Sequence, residues 1–401
     1  MIRSLIRLVA LSAMTLWCYV PVMSQELSFT TGADGNKQVV LGDEFYRGNV
    51  EVPEQVEGVS VTAVGSAAFN ACRGLKSVSL PASLKLIDDY AFNACDTLGN
   101  VTIPDGVTRI GDHAFHACGM MTSITVPDAV TSIGSFAFFG CKRLTDVTIG
   151  SGVTSIGERA FQSCKALKTI TVSPHNTAYC DIDGVLYTAD CQTLVSYPRK
   201  QESWRDYVVP NGTKHISPYA FWYCDAMKTI TLNADLETIG EWAFANCTVI
   251  KEIVLPPTIT AIGANAFKGC KALKQVHNQA ETPLQLNPYS TPFGMFTDLS
   301  LATLYVPAGT VPAYSESLVW KDFGTIVEDV SAAVMVESAN VRAYALGLTL
   351  CIEGILPGQS VQVYNVAGSL IYSGRERTIA MPAAGVYVVR VGDKAFKILA
   401  K

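Results

Sequence analysis

Charge is scarce in this chain. Only 16% of its 401 residues are Asp, Glu, Lys or Arg, against about a quarter in an ordinary soluble domain. The 30 basic residues form no cluster and are outnumbered by 35 acidic ones, which argues against nucleic acid as a partner. Histidine is rarer still, limited to His113, His116, His175, His215 and His277. His113, His116 and Cys118 would fit in one turn, but their spacing matches no strong zinc motif and neither His position recurs. The histidines therefore read as exposed, variable positions. Asp181-x-Asp183-Gly184 begins like a calcium loop and lacks the later ligands and the closing Glu; a hairpin turn is the simpler reading. Nucleophile motifs, phosphate loops and metal signatures are missing as well. The expectation is no cofactor, no metal and no catalysis, which only a convergent carboxylate pair in a deep pocket would reverse. Past residue 24, no apolar run reaches the ~18 residues of a membrane helix.

Hydrophobic residues, by contrast, make up 49% of the chain, enough for a large core. Residues 1–24 read as a secretory signal peptide, with Arg3 and Arg7 ahead of the apolar stretch Leu8 to Val20. Val22-Met23-Ser24 offers small residues for cleavage before Gln25. Lipidation at Cys18 is opposed by the bulky Trp17 before it. The mature chain is expected to be secreted and to lack a transmembrane helix.

One unit then repeats every 23 residues. Its anchors are Phe69, Phe92, Phe115, Phe138 and Phe161, and after a longer interval Phe221, Phe244 and Phe267. Each has Ala before it, Cys three residues later, and Val64 or an Ile five residues earlier. A run such as Leu144-x-x-Val147-x-Ile149 alternates and predicts a short strand with one buried face. The Gly preceding most Ala-Phe pairs predicts a tight turn, and Ala-Phe-x-x-Cys, too short for a free-standing helix, predicts a helical turn opposite the strand. One such unit cannot bury its own apolar side, whereas stacked units can. Eight of the 12 cysteines share one repeat position. Equivalent side chains on neighbouring coils run parallel at about 4.8 Å or more, while a disulfide needs Cβ atoms near 3.8 Å. A ladder of reduced, buried thiols follows.

Residues 25–57 read as an N-terminal cap and 58–279 as the repeats, interrupted by a 37-residue insertion at 173–209. In the insertion, Asp183-Gly184 between two apolar runs predicts a hairpin that sets Cys180 opposite Tyr187; a Cys180–Cys191 disulfide is the alternative pairing of those sulfurs. Residues 280–329 read as a C-terminal cap closed by Leu304, Val306, Trp320 and Phe323. From 330 to 401 the repeat is gone, and five short strands with turns at Ala367-Gly368 and Gly392-Asp393 predict a small β-sandwich. The fold class is thus an α/β solenoid of leucine-rich repeat type, with eight full units of 23 residues and one insertion, followed by an all-β sandwich.

The Ile-Gly-x-x-Ala-Phe-x-x-Cys-x-x-Leu core, over roughly Val50 to Glu328, resembles the BspA-like leucine-rich repeat proteins of bacterial and some protist cell surfaces. That resemblance implies a scaffold for adhesion or protein binding and carries no catalytic residues. Val361-Gln362-Val363-Tyr364-Asn365-x-x-Gly368, Gly385 to Val391 and Lys397 to Lys401 resemble a type A C-terminal sorting domain of the Bacteroidetes type IX secretion pathway. It implies export through that machinery, removal of the tail and attachment at the cell surface; a periplasmic location is the alternative. Asp96-Thr97-Leu98 is similar to the O-glycosylation motif of the same bacteria, with Thr97 as acceptor.

Two candidate binding surfaces follow. Outward strand positions, among them Thr102, Thr125, Thr148, Thr171 and Thr231, form a ribbon rich in hydroxyls and nearly uncharged, suited to a protein or a glycan as well as to plain strand structure. Trp204, Tyr207, Trp222, Tyr223 and Trp242 gather in and after the insertion, where they serve either packing or binding. The expected function is an exported, non-catalytic adhesion scaffold for an extracellular protein or glycan. A structural envelope component without a host ligand is the alternative.

Overall fold

Each 23-residue unit folds as one coil carrying two strands and a run of turns. The computed structural model describes residues 27–40, 45–199, 205–294 and 298–329, and further on 342–346, 349–353, 360–365, 367–374, 378–383, 385–391 and 394–400. The expected signal peptide with Cys18, Trp204 and the Gly392-Asp393 turn lie outside the described residues. The chain divides into two compact units, residues 1–203 with 217–223, and residues 204–216 with 224–401.

In the first unit the expected strands Ser123–Val126, Asp146–Ile149 and Thr169–Val172 pair in parallel, each residue opposite the one 23 positions on. A second row, formed by Leu86–Ile87, Arg109–Ile110, Ser132–Ile133 and Ser155–Ile156, pairs the same way. Two residues per strand leave too little alternation to be seen in sequence. In the second unit the long row continues through Glu252–Leu255, Gln275–Asn278, Thr303–Val306 and Thr325–Glu328.

The Phe rings stack within the coils, with Phe69, Phe92, Phe115, Phe138 and Phe161 at successive centre distances of 5.1, 5.1, 5.4 and 5.7 Å. Tyr46 covers the outer face of Phe69 at 5.2 Å. In the second unit, Phe244, Phe267 and Phe293 continue the pattern, and Phe293 meets the fully buried Trp320 and Phe323 edge-on. The Trp320 indole N–H donates to the Leu284 carbonyl at 2.8 Å, as a buried indole must find an acceptor.

The helical turn expected at Ala-Phe-x-x-Cys is a different structure. Residues two before and two after each Phe have positive φ, as at Ala67, Ala71, Tyr90, Ala94, His113, Ala117, Phe136 and Gly140. The N–H groups of Ala67, Phe69 and Ala71 donate to Asp89, Ala91 and Asn93 of the next coil at 2.7–2.9 Å, while those of Ala68, Asn70 and Cys72 turn back within their own coil. A helix would spend every N–H on itself and leave none for the neighbour. Left-handed residues cost about 1–2 kcal/mol each, and the hydrogen bonds gained between coils offset this.

The conserved spacing of Cys has its own cause. The thiols of Cys95, Cys118, Cys141 and Cys164 each donate to the carbonyl of the preceding coil's Phe at 3.0–3.2 Å, and all are free. Burial pushes the Cys95, Cys118 and Cys164 thiols well up, so they are inert donors.

The glycine before Ala-Phe is there for space. Gly134 and Gly157 do not have positive φ; a Cβ on either would sit 2.4 or 2.3 Å from backbone nitrogen of the preceding coil. Ser217 tolerates its side chain because its N–H meets Leu194 of the insertion, where no preceding coil lies. In the insertion, Tyr179–Ile182 and Val185–Thr188 form the expected hairpin, with Cys180 opposite Tyr187 and positive φ at both Asp183 and Gly184.

Two sheets make the C-terminal sandwich, Arg342–Leu346, Thr349–Glu353 and Thr378–Ala380 in one, and Leu370–Gly374, Val361–Asn365, Gly385–Val391 and Lys394–Ala400 in the other. Leu350, Ile352, Val361, Val363, Ile379 and Val389 are its core. The strands at 342–346 and 349–353 were not foreseen in the sequence.

Candidate functional site

Parallel register turns a repeat position into a surface row. Thr125, Thr148 and Thr171 are paired neighbours on three successive strands and all exposed, while Ile124, Val147 and Ile170 between them face the core. Thr102 is also exposed, one coil earlier. There the row is interrupted: the Asn100 carboxamide oxygen accepts the N–H groups of Thr122 and Ser123 at 2.7 and 3.1 Å, and residues 100–103 form no strand. A groove of about 840 Å³ opens beside this break, lined by Ser77, Ser79, Asn100, Thr102 and Glu51 among others. At the other end the insertion hairpin closes the row. Its Gly184 carbonyl accepts from Ile170 at 3.0 Å and the Asp181 carboxylate from Val172 at 2.7 Å, which commits Asp181 to the hairpin.

The second unit has a smaller groove of about 600 Å³ over Thr229, Thr231, Glu252 and Val254. Nearby, His277 is half-buried and stacked on Tyr305 at 4.3 Å, with Nδ1 2.7 Å from Asp329 and Nε2 3.3 Å from Glu252. The reading of His277 as an exposed position is corrected: three neighbours fasten this ring. Tyr207 also leaves the proposed surface. It pairs with Ile230 on the core-facing row, because strand side chains alternate, and Val208 beside it is the exposed one.

Trp222 and Tyr223 lie on the turn face of the first unit, together with residues not singled out in the sequence. Tyr90, His113 and Phe136, each two residues before an anchor Phe, stack at 4.7 and 4.8 Å. His116 stacks on Phe139 at 5.3 Å. His113 and His116 are thus half-buried and not exposed as expected, and Cys118 points inward to the Phe92 carbonyl, so the three do not converge on a metal. The signal was present: aromatic residues recur two places before Phe, at Tyr90, Phe136, Tyr219 and Trp242. In the second unit Trp242 donates to Glu241 at 2.9 Å and packs under the Lys268 ammonium at 4.6 Å. The Thr97 hydroxyl is exposed but engaged by the Arg73 and Leu75 carbonyls at 2.7 and 2.9 Å. Cys180 and Cys191 are thiols with sulfurs 3.3 Å apart.

Burial, and after it the neighbouring His113, hold the His116 imidazole below its ordinary value. The unfolded chain takes up this proton near pH 6.5 and the native one resists it. Stability present above the unfolded value is therefore lost as pH falls through the native one. Melting temperature should drop between about pH 7 and pH 5, and drop less in His116→Phe, which keeps the stack without titrating. Equal slopes would clear His116 of the effect.

No helix among the described residues is long and apolar enough to cross a membrane, and none of their His, Cys, Asp and Glu side chains form a group of three or more able to hold a metal ion. A comparison with curated proteins returned no match. Among solved structures, a leucine-rich repeat protein from Eubacterium ventriosum aligns over 76% of this chain and 83% of its own, with 21% identity and a TM-score of 0.54. The pneumococcal vaccine antigen PcpA aligns over 76% and 96%, with 19% identity and a TM-score of 0.50. A leucine rich cell surface protein from Faecalibacterium prausnitzii aligns over 76% and 93%, with 25% identity and a TM-score of 0.44. A profile of the BspA type leucine rich repeat region matches residues 62–181 and 199–310 in six copies. This chain belongs to the BspA type leucine-rich repeat family.

Proposed function

We propose that the protein is an exported, non-catalytic surface scaffold that binds an extracellular protein or glycan on the strand face of its first unit. The observation that carries this reading is the row of Thr125, Thr148 and Thr171, in register and exposed, beside a groove of about 840 Å³. Hydroxyls at strand spacing can donate and accept along a partner without the desolvation cost of charges. Export rests on the signal-peptide pattern of residues 1–24 and on the likeness of 330–401 to a type IX sorting domain, which would pass the chain to the secretion machinery and tether it outside.

The test is a screen of the mature chain on immobilised matrix proteins and glycans, repeated with Thr125→Arg/Thr148→Arg. Side chains facing solvent tolerate this change within about 0.5 kcal/mol, so folding should hold. Captured ligand should fall at least about tenfold. Capture equal to wild type would move the binding site off this face.

A further inference from the structure

On the turn face, Arg159 departs from every other cation of the first unit. It stands two residues before Phe161, in the column of Tyr90, His113 and Phe136. Its guanidinium carbon lies 4.5 Å from the ring centres of both Tyr219 and Trp222, 5.0 Å from Phe136 and 5.2 Å from Phe139. Arg109, one turn row away, spans Asp88 and Asp89 at 2.9 and 2.7 Å. Arg159 has no such partner: among the described residues no carboxylate reaches it, its Nε is buried without an acceptor, and its terminal nitrogens face solvent with their donors unused. Rings attract a cation through their faces but accept none of its in-plane N–H bonds. A guanidinium so desolvated is primed for a planar anion, which it can hold with two parallel hydrogen bonds.

We propose that this is a binding site for an acidic saccharide, with Arg159 holding a sugar carboxylate and the Trp222 and Tyr223 side chains receiving the sugar ring. The Trp222 indole N–H has no acceptor among the described residues. Tyr223 is 41% exposed and stands edge-on to Trp222 at 4.5 Å, leaving ring surface open. An acidic peptide fits less well. Peptides dock on main-chain donors, and here the N–H groups of Phe136, Phe138 and Gly140 are already given to Glu158, Ala160 and Gln162. The site is separate from the strand face, and neither reading depends on the other.

Calorimetric titration of the full mature chain with trigalacturonate, galactotriose and triglutamate tests this. Trigalacturonate should bind at least about tenfold more tightly than galactotriose or triglutamate, the value of one charge-assisted contact. Arg159→Gln should remove at least about tenfold of that affinity. Since this change also alters the packing of the cage, Trp222→Phe is measured beside it. It keeps a ring and loses one donor, so about threefold should go, with an unchanged melting temperature. The proposal is overturned by absence of trigalacturonate binding, by equal affinity for galactotriose, by stronger binding of triglutamate, or by full affinity in Trp222→Phe or in folded Arg159→Gln.

Discussion

Phe138→Ala should destabilise the first unit by about 3–5 kcal/mol. The ring has no exposed surface and lies between Phe115 and Phe161 at 5.4 and 5.7 Å. Its loss leaves a void that the neighbours cannot fill by closing up. Coil spacing is held on both sides of it, by Ala117 N–H to Phe139 at 2.8 Å and Gly140 N–H to Gln162 at 3.0 Å. The main chain at 138 survives the substitution, so the Cys164 thiol keeps its acceptor there at 3.1 Å, and the effect is that of the ring alone. Urea unfolding followed by circular dichroism measures it. Phe138→Leu, filling most of the volume, should cost less than about half as much. If Phe138→Ala shifts the midpoint no more than an exposed substitution does, the ring stack is not what holds neighbouring coils together.

Gly134→Ala adds one methyl group and should still cost about 1–3 kcal/mol or more. The new Cβ would stand 2.4 Å from both the Asp112 nitrogen and the Gly111 carbonyl carbon. Both are backbone, and cannot swing aside as a side chain would. Relief requires the coils to part, which stretches the Gly134 N–H to Ile110 bond of 2.8 Å and the Ser135 N–H to Asp112 carboxylate bond of 2.7 Å. Gly99→Ala is the control. Its Cβ would have only the Lys76 carbonyl nearby, at 3.5 Å, and its φ is not positive, so it should stay within about 0.5 kcal/mol of wild type. Thermal melts of the two variants side by side decide the matter. Equal melting temperatures would mean that glycine at 134 serves the turn and not the approach of one coil to the next.

Much of this molecule was legible in the chain because a repeat reports the same constraint many times. The 23-residue period, the buried Phe, Ile and Leu rows, the reduced cysteines and the Asp183-Gly184 hairpin all follow from patterns that neighbouring residues enforce on each other. Tyr207 was misplaced because a lone strand outside the repeat has no neighbours in sequence to set its face. His277 was misread for a similar reason, since its partners Glu252, Tyr305 and Asp329 come from 25 to 52 residues away.

By itself, the sequence determined the coil, its apolar rows and the breaks between its parts, since these depend on periodicity and burial. Only the tertiary structure decided what links one coil to the next. Left-handed residues beside each Phe, thiols bonded to the previous coil's carbonyl and glycines pressed against its backbone all concern atoms 22–26 residues apart. The Arg159 cage belongs with them. It brings together Phe136 and Tyr219, 83 residues apart, because the insertion between them folds aside as strands of its own and returns the chain to the same column. No spacing rule predicts that meeting, since the distance is set by how the inserted segment packs and not by its length.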